Sequence, residues 1–361
     1  MRLLRPLNQL LALLAMAATG SIAGAQTTVL ANVTQLIADI TSKPMYQHTS
    51  WGFMIVDQNS GETLLDTMGA KMYVPGSIMK TYSTSSALKV YGPDYRFRTP
   101  VYKTGMVDGG ALDENLVLVA SGDFSFGLRE RPGGKLAYNS LPEIDHNYAS
   151  TGFAGVALVK NSNPLAALDR LAAQVRAADI RRIRGNVLID DRLFKAFDGW
   201  PDGVIAPIWV NENDIDITST ATRPGQPASL TWRPKTAAIR VVSTVTTAPV
   251  GTQTSPLTVA TISPGVVQVS GKIAADAKPI ISGSDIPKPS DFARTAFIEA
   301  LHRAGVLVDA RATGPNPKEL LPSATSYTER SKIAEHISPP FSEFIKVILF
   351  EVCALTLHPL A

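Results

Sequence analysis

The apolar positions near the start of the chain change from helical to strand-like spacing. Residues 27–41 carry apolar side chains three and four positions apart, and Pro44 ends the pattern, which predicts a helix. Residues 51–57 are apolar and β-prone, and residues 62–65 form a second short run of this kind. Because Asn59-Ser60-Gly61 separates the two runs, they predict a β-hairpin.

The rest of the chain changes character twice. A helix is predicted from Ser77 to about Val90, where Gly92-Pro93 ends it. From Phe97 to Lys288 strand-like runs dominate, in Gly-, Pro- and Thr-rich sequence. The clearest predicted strands are 116–120, 187–189, 238–245 and 266–270. The further predicted helices are 165–175 with an extension to 183, 289–304, and a last one from about residue 341.

The N-terminal residues resemble a secretory signal. Arg2 and Arg5 precede a mostly apolar run over residues 7–18, and Ala23-Gly24-Ala25 forms a cleavage motif. The alternative, a membrane anchor, needs about 20 apolar residues, and this run is shorter. We therefore expect residues 1–25 to be a signal peptide and the mature protein to be periplasmic.

Composition excludes several classes of protein. Hydrophobic residues make up 45% and charged residues 18%, which is typical of a folded chain. The formal charge of +3 is small and scattered, which argues against nucleic-acid binding. Cys353 is the only cysteine, so no intramolecular disulfide can form. The five histidines lack metal-ligand spacing, so we expect neither a metal site nor a cofactor; they are His48, His146, His302, His336 and His358.

The strongest chemical signal is Ser77, followed one helical turn later by Lys80. Residues at i and i+3 share a helix face, and a serine in the first turn offers a hydroxyl nucleophile and a free backbone N–H as an oxyanion donor. Lys80 could accept the hydroxyl proton only if it were neutral. Since a free lysine has a pKa near 10.4, this requires a decrease of roughly 3 units, or about 4 kcal/mol, which burial and a second cation would supply.

The spacing alone is weak evidence, since S-x-x-K also occurs at Ser86 and Lys89. Ser86 is predicted to lie in mid-helix, where its hydroxyl would bond a backbone carbonyl. The structural alternative for Ser77 is an N-cap serine. Asp123 and the adjacent Asp190 and Asp191 follow predicted strands, where turn-forming or structural roles are favoured over acid–base chemistry.

Several motifs occur in a fixed order along the chain: Trp51–Asp57 with Ser60-Gly61, Val74–Lys80, Tyr91–Tyr102, Leu116–Asp123, Gly185–Asp191 and Asp198–Pro201. The first of them resemble the start of penicillin-binding and serine β-lactamase domains. Together they are similar to the D-alanyl-D-alanine carboxypeptidase/endopeptidase family of penicillin-binding-protein-4 type, over residues 45 to about 349.

This resemblance implies an α/β (α+β) fold, in which an antiparallel sheet with helices is interrupted by inserted mixed and β-rich domains. The implied catalytic domain is discontinuous and incomplete, with parts at 26–96 and 289–361 around inserted domains at 97–288. Ser77 would be the acylated nucleophile and Lys80 its base. The implied partners are the D-Ala-D-Ala ends or cross-links of peptidoglycan stem peptides, and β-lactams would acylate the same serine.

The sequence also departs from the family pattern. No asparagine has a serine two positions earlier, so the S-x-N box is absent, and the only K-T-G, at residues 103–105, lies in the predicted insert. We interpret this K-T-G as coincidental and hypothesise a frameshift or early end near residue 350. Two functions remain open: a serine carboxypeptidase with little or no activity, or an inactive relative that binds peptidoglycan or partners.

Overall fold

The computed structural model describes residues 23–139, 143–151, 155–199, 203–253 and 256–357. Most of the predicted signal peptide lies outside these residues. The chain divides into two compact units, the first ending at Gly76 and the second beginning at Ser77. Among the described residues, no helix is long and apolar enough to cross a membrane.

The described part of the first unit contains one α-helix, a short 3-10 helix at Pro44–Tyr46 and one hairpin. Helix α1 covers Ala23–Thr41, and strands β1 (Phe53–Val56) and β2 (Thr63–Thr67) pair antiparallel. Asp57 closes the hairpin turn, because its carboxylate accepts hydrogen bonds from the backbone N–H groups of Asn59 and Ser60. The predicted helix and hairpin are thus confirmed.

The second unit holds the other α-helices and strands of the described residues. Its helices are α2 (Met79–Tyr91), α3 (Ala166–Ala177), α4 (Pro289–Arg303) and α5 (Phe341–Leu357). Its strands are β3 (Arg98–Lys103), β4 (Val107–Asp108), β5 (Ala111–Leu112), β6 (Leu116–Val119), β7 (Glu130–Arg131), β8 (Lys135–Leu136), β9 (Ile144–Asp145), β10 (Val156–Ala157), β11 (Arg182–Ile183), β12 (Val187–Asp190), β13 (Phe197–Asp198), β14 (Val204–Ile205), β15 (Asp214–Thr220), β16 (Ser229–Arg233), β17 (Arg240–Ser243), β18 (Thr246–Ala248), β19 (Thr258–Ser263), β20 (Val266–Ser270), β21 (Lys272–Ala274), β22 (Ile280–Asp285), β23 (Leu307–Val308) and β24 (Lys332–Ile337). The predicted extension of α3 to residue 183 is wrong, since β11 occupies its last two positions.

A four-stranded sheet in the order β12-β6-β3-β24 forms the centre of this unit. β3 runs antiparallel to both β6 and β24, whereas β12 and β6 are parallel. Helices α3 and α4 pack together beside this sheet, α3 against β24 and α4 against β12. Leu168, Leu171 and Val175 recur at helical spacing on α3 and are fully buried, so this helix is held by its apolar face.

The β-rich part of the unit forms two three-stranded sheets. Their orders are β16-β15-β22 and β17-β20-β19. Strand β15 pairs with both neighbours in antiparallel register, and Ile215 and Ile217 on it are fully buried. Both side chains belong to the main hydrophobic core of the described residues, so this sheet packs on that core.

The segment after residue 288 packs against two different groups of elements. The first part, α4 and β24, packs on elements from residues 98–190, within the predicted insert. The second part, α5, packs on α2. Phe344 is fully buried in a small aromatic cluster with Phe97 and Phe124. The predicted domain boundaries stay a prediction, but α5 brings the end of the described chain to the helix that carries Lys80.

Candidate active site

Ser77 and Lys80 lie at the start of α2. Ser77 is the middle residue of a single 3-10 turn, Gly76–Ile78, and Lys80 is the second residue of the α-helix. Gly76 has a φ of +52°, in the left-handed region that glycine adopts without strain from a Cβ atom. The predicted helix is confirmed with a start two residues later, and the glycine sets the turn that presents Ser77.

Neither candidate side chain stabilises the helix through a hydrogen bond. The N-cap residue of α2 is Ile78, and no side chain caps the helix end. Among the described residues, Ser77 Oγ and Lys80 Nζ form no hydrogen bond with each other or with another group, and both residues are half-buried. The N-cap alternative for Ser77 therefore does not describe this turn, and both polar groups remain available.

The second S-x-x-K match has a different setting. Ser86 is exposed in the middle of α2, as expected. The predicted bond from Ser86 to a backbone carbonyl is not formed. Two nearby hydroxyls on the same helix do bond a backbone carbonyl: those of Ser83 and Thr84 both donate to the carbonyl of Lys80. Ser86 therefore lacks the turn and free helix end that surround Ser77.

The K-T-G sequence is occupied by local turn contacts. Lys103 Nζ donates to the carbonyl oxygen of Gly105 at 2.9 Å. Thr104 Oγ1 accepts from the backbone N–H of Asn115 at 3.1 Å. The first bond is local, and the second fastens the residue after β3 to the residue before β6, which agrees with the interpretation of this motif as coincidental.

Asp123, Asp190 and Asp191 serve the fold. The Asp123 carboxylate accepts backbone N–H bonds from two residues of its own turn, Ser125 and Phe126. Asp190 accepts from Arg192 and from the Tyr327 hydroxyl, and Asp191 from Lys318. The predicted turn and structural roles are thereby confirmed.

A buried cluster of charges was missed by the sequence reasoning. The Arg129 guanidinium donates to both oxygens of Asp145, at 2.7 and 2.8 Å, and to both oxygens of Glu212. His146 Nδ1 lies 2.9 Å from Asp216 Oδ1, and its Nε2 faces Glu212 at 3.5 Å. All five side chains are at most 7% exposed. Their positions span 88 residues of sequence, so no local motif could have revealed the cluster.

Ligand atoms of Asp145, His146 and Glu212 lie within 4.8 Å of one another, which is compatible with a metal ion. All four carboxylate oxygens, however, already accept hydrogen bonds from Arg129. Burial would raise the pKa of Asp145, but the Arg129 charge lowers it to about 2. The residues fit an ion-pair cluster whose cations are Arg129 and His146 better than they fit a metal ligand set.

The protonation of His146 predicts a pH-dependent stability. Burial alone would lower the pKa of His146, but the carboxylates of Asp216, Glu212 and Asp145 raise it to about 9. Because the unfolded value is about 6.5, the stabilisation is fully present below that pH and is lost as the pH rises through about 9, by about 3 kcal/mol in total. Urea unfolding at pH 6, 7.5 and 9.5 measures this loss.

The imidazole resonances of His146 provide a direct check by NMR. They should titrate near pH 9 in the native protein. The variant His302→Asn should retain the full pH dependence of the unfolding free energy. A native His146 titrating at or below pH 6.5 would show that the cluster is built around a neutral imidazole.

Solved structures with a similar fold are penicillin-binding proteins. Penicillin binding protein 4 (dacB) from Haemophilus influenzae superposes with a TM-score of 0.58 at 18% identity, covering 88% of this chain and 65% of that one. The same protein complexed with a novel β-lactam gives a TM-score of 0.56, also at 18% identity, covering 86% and 59%. The chain thus has a fold of the penicillin-binding class, as the sequence predicts.

The family follows from sequence. Residues 33–350 match the D-Ala-D-Ala carboxypeptidase 3 (S13) family, and the chain belongs to this family. A curated relative, the D-alanyl-D-alanine carboxypeptidase of Actinomadura sp. (strain R39), is 23% identical over 336 residues. That alignment covers 87% of this chain and 54% of the relative, so the chain spans about half the length of the relative. The resemblance to penicillin-binding-protein-4 relatives is confirmed.

Proposed function

We propose that the chain is a serine-type D-alanyl-D-alanine carboxypeptidase/endopeptidase of the periplasm, acting on peptidoglycan stem peptides through an acyl-enzyme on Ser77. Membership of the carboxypeptidase family supports the reaction class. The observation that carries the proposal is the turn at Gly76–Ile78, which presents Ser77 one turn before Lys80. In this turn the serine hydroxyl does not cap the helix.

The chemistry follows from the two groups. Ser77 Oγ attacks the carbonyl carbon of the penultimate D-alanine, and its proton passes to a neutral Lys80 Nζ. The peptide C–N bond then breaks, the departing D-alanine amine takes a proton, and water later hydrolyses the ester on Ser77. A β-lactam would follow the first steps, with its ring amide opening to leave a stable ester on the same oxygen.

The backbone N–H of Ser77 would supply one oxyanion donor. A second donor is needed for full activity, since loss of one oxyanion donor typically reduces the rate by about 10²–10³-fold. The alternative function is binding of peptidoglycan or partners without turnover.

Labelling with a fluorescent penicillin tests the proposal. We expect covalent labelling that approaches one label per chain and is absent in Ser77→Ala, since Ser77 lies at a free helix end with Lys80 one turn away. Ser86→Ala and Lys103→Met are matched controls from the two coincidental motifs and should label as the parent chain does. Absence of labelling in the parent chain, with a correctly folded protein, would favour the non-catalytic alternative.

A further inference from the structure

An open cleft lies where strand β3 begins and strand β6 ends. Its volume is about 530 Å³, within the range of about 300–1,000 Å³ that is usual for ligand sites. One wall is the segment 94–98, apart from Phe97, and the other is formed by residues 120–121 and 193. All of these residues belong to the second unit, and the first wall begins three residues after the C-terminal end of α2.

Two arginines of the first wall point into the cleft. Side chains alternate between faces in extended chain, so Arg96 and Arg98 both line the cleft while Phe97 packs in the aromatic cluster described above. Arg96 Nη1 donates to the carbonyl oxygen of Ser338 at 2.7 Å. Arg98 Nη1 donates to the Glu335 carboxylate at 2.8 Å. Because a guanidinium has five N–H donors, one bond orients each arginine and four donors remain without a partner among the described residues.

Hydrogen bonds and ring contacts hold both walls in place. The carbonyl oxygen of Tyr95 accepts from the backbone N–H of Phe341, the first residue of α5, at 2.8 Å. The Tyr95 ring makes edge contacts with the rings of Phe97 and Phe341, and Tyr95 is still 38% exposed. On the opposite wall, Ser121 Oγ lies 2.7 Å from Thr99 Oγ1. A ligand would therefore meet side chains that are already positioned, which reduces the entropic cost of binding.

The lining combines two cations, one carboxylate and apolar surface. A guanidinium binds a carboxylate through two parallel N–H bonds, so Arg96 and Arg98 together are suited to this group. Asp94 is exposed on the same wall and forms no ion pair among the described residues. Its charge disfavours a polyanion, but it would accept an N–H or ammonium group. Ala120 and Leu193 add apolar contact, so the lining favours a short peptide that carries both kinds of charge.

We propose that this cleft binds a short peptide by clamping its carboxylate between Arg96 and Arg98, while Asp94 accepts an N–H group of the same peptide. Peptidoglycan stem peptides carry several carboxylates and are the natural ligand that we assign, an assignment that rests on the proposed function. The 13 residues of α2, about 20 Å of helix, separate Ser77 from Asp94. The clamp and the acylation of Ser77 can therefore be tested apart.

The tripeptide L-Ala-γ-D-Glu-L-Lys is a suitable probe. It lacks D-Ala-D-Ala, so it offers Ser77 no bond to cleave. Saturation-transfer NMR of the tripeptide, titrated against the full chain, measures its affinity, and we expect a Kd of about 0.1–1 mM. The same tripeptide with both carboxylates replaced by carboxamides is the matched control and should bind at least about tenfold more weakly.

Substitutions test the two walls. Arg96→Gln and Arg98→Gln should each weaken binding of the tripeptide at least about fivefold. Arg240→Gln is their control, since Arg240 is exposed and lies outside the cleft, and it should leave the affinity unchanged. Leu193→Asp places a like charge opposite the clamp and should weaken binding at least about tenfold. Leu193 is 60% exposed, so the variant should fold, and Leu193→Asn, which matches aspartate in size without the charge, should bind normally.

Three results would overturn the proposal. They are equal affinities for the tripeptide and its carboxamide form, unchanged affinity in both Arg96→Gln and Arg98→Gln, and displacement of the tripeptide by an equal concentration of inorganic phosphate. Ser77→Ala should bind the tripeptide normally, and Arg98→Gln should still be labelled by fluorescent penicillin. Failure of the clamp and failure of the proposed function are thus distinguishable.

Discussion

Replacing Lys80 by arginine is expected to slow the acylation of Ser77 by about 10²–10⁴-fold, the usual contribution of a general base. Arginine keeps the positive charge and the length of the side chain but is not deprotonated in proteins, so it cannot accept the serine proton. The measurement is the rate of fluorescent penicillin labelling in the parent chain and in Lys80→Arg.

Comparison with a second lysine on the same helix separates this role from a structural one. Lys89→Arg, from the second S-x-x-K on the same helix, is the matched control and should behave as the parent chain does. A Lys80→Arg variant that labels at the parent rate would exclude Lys80 as the base.

Replacing Arg129 by methionine is expected to lower the free energy of unfolding by about 3–5 kcal/mol, because it leaves the carboxylates of Asp145 and Glu212 buried without their cation. The same change also removes a restraint on the turn at residues 211–213, whose backbone is left-handed. Asn211, Glu212 and Asn213 have φ values of 54°, 55° and 58°, and such left-handed residues cost about 1 kcal/mol or more each. Arg129 fixes the middle residue of this turn through both oxygens of Glu212.

Urea unfolding and amide hydrogen exchange measure the two effects. Arg98→Met is the control, since Arg98 forms a surface ion pair with Glu335, its side chain is 60% exposed, and such pairs contribute about 0–1 kcal/mol. Arg129→Lys, which keeps the charge but loses the planar fork, should be intermediate in stability. Exchange should increase at residues 210–214 in both Arg129 variants. A change below 1 kcal/mol in Arg129→Met would mean that the cluster contributes nothing net.

The sequence predicts the helices and strands of this protein better than the tertiary contacts between them. The hairpin, α2, α3 and α4 follow from periodicity and from Pro and Gly signals, which act within a few residues. The helix at 289–304 is a clear example, because its pattern predicts an amphipathic helix but not what its apolar face contacts. In the structure it packs on α3 and β12.

The same distinction applies to the candidate site. Ser77 and Lys80 are close in sequence, so their spacing and the preceding Pro75-Gly76 can be interpreted directly. The cluster of Arg129, His146 and Asp216 joins distant strands and turns, and each residue alone resembles an ordinary surface charge. Only tertiary packing determines that these side chains share one buried volume, and so no local pattern could predict them.

The central sheet also determines when this protein can complete its fold during synthesis. Strand β3 hydrogen-bonds to β24, and the pair Arg98 and Glu335 are separated by 237 residues. At a synthesis rate of about 5–20 residues per second, roughly 10–50 s pass between the synthesis of β3 and that of β24. During this interval one edge of β3 and the apolar faces beside it are open, so nascent chains should depend on holding factors and slow folding until residue 337 is complete.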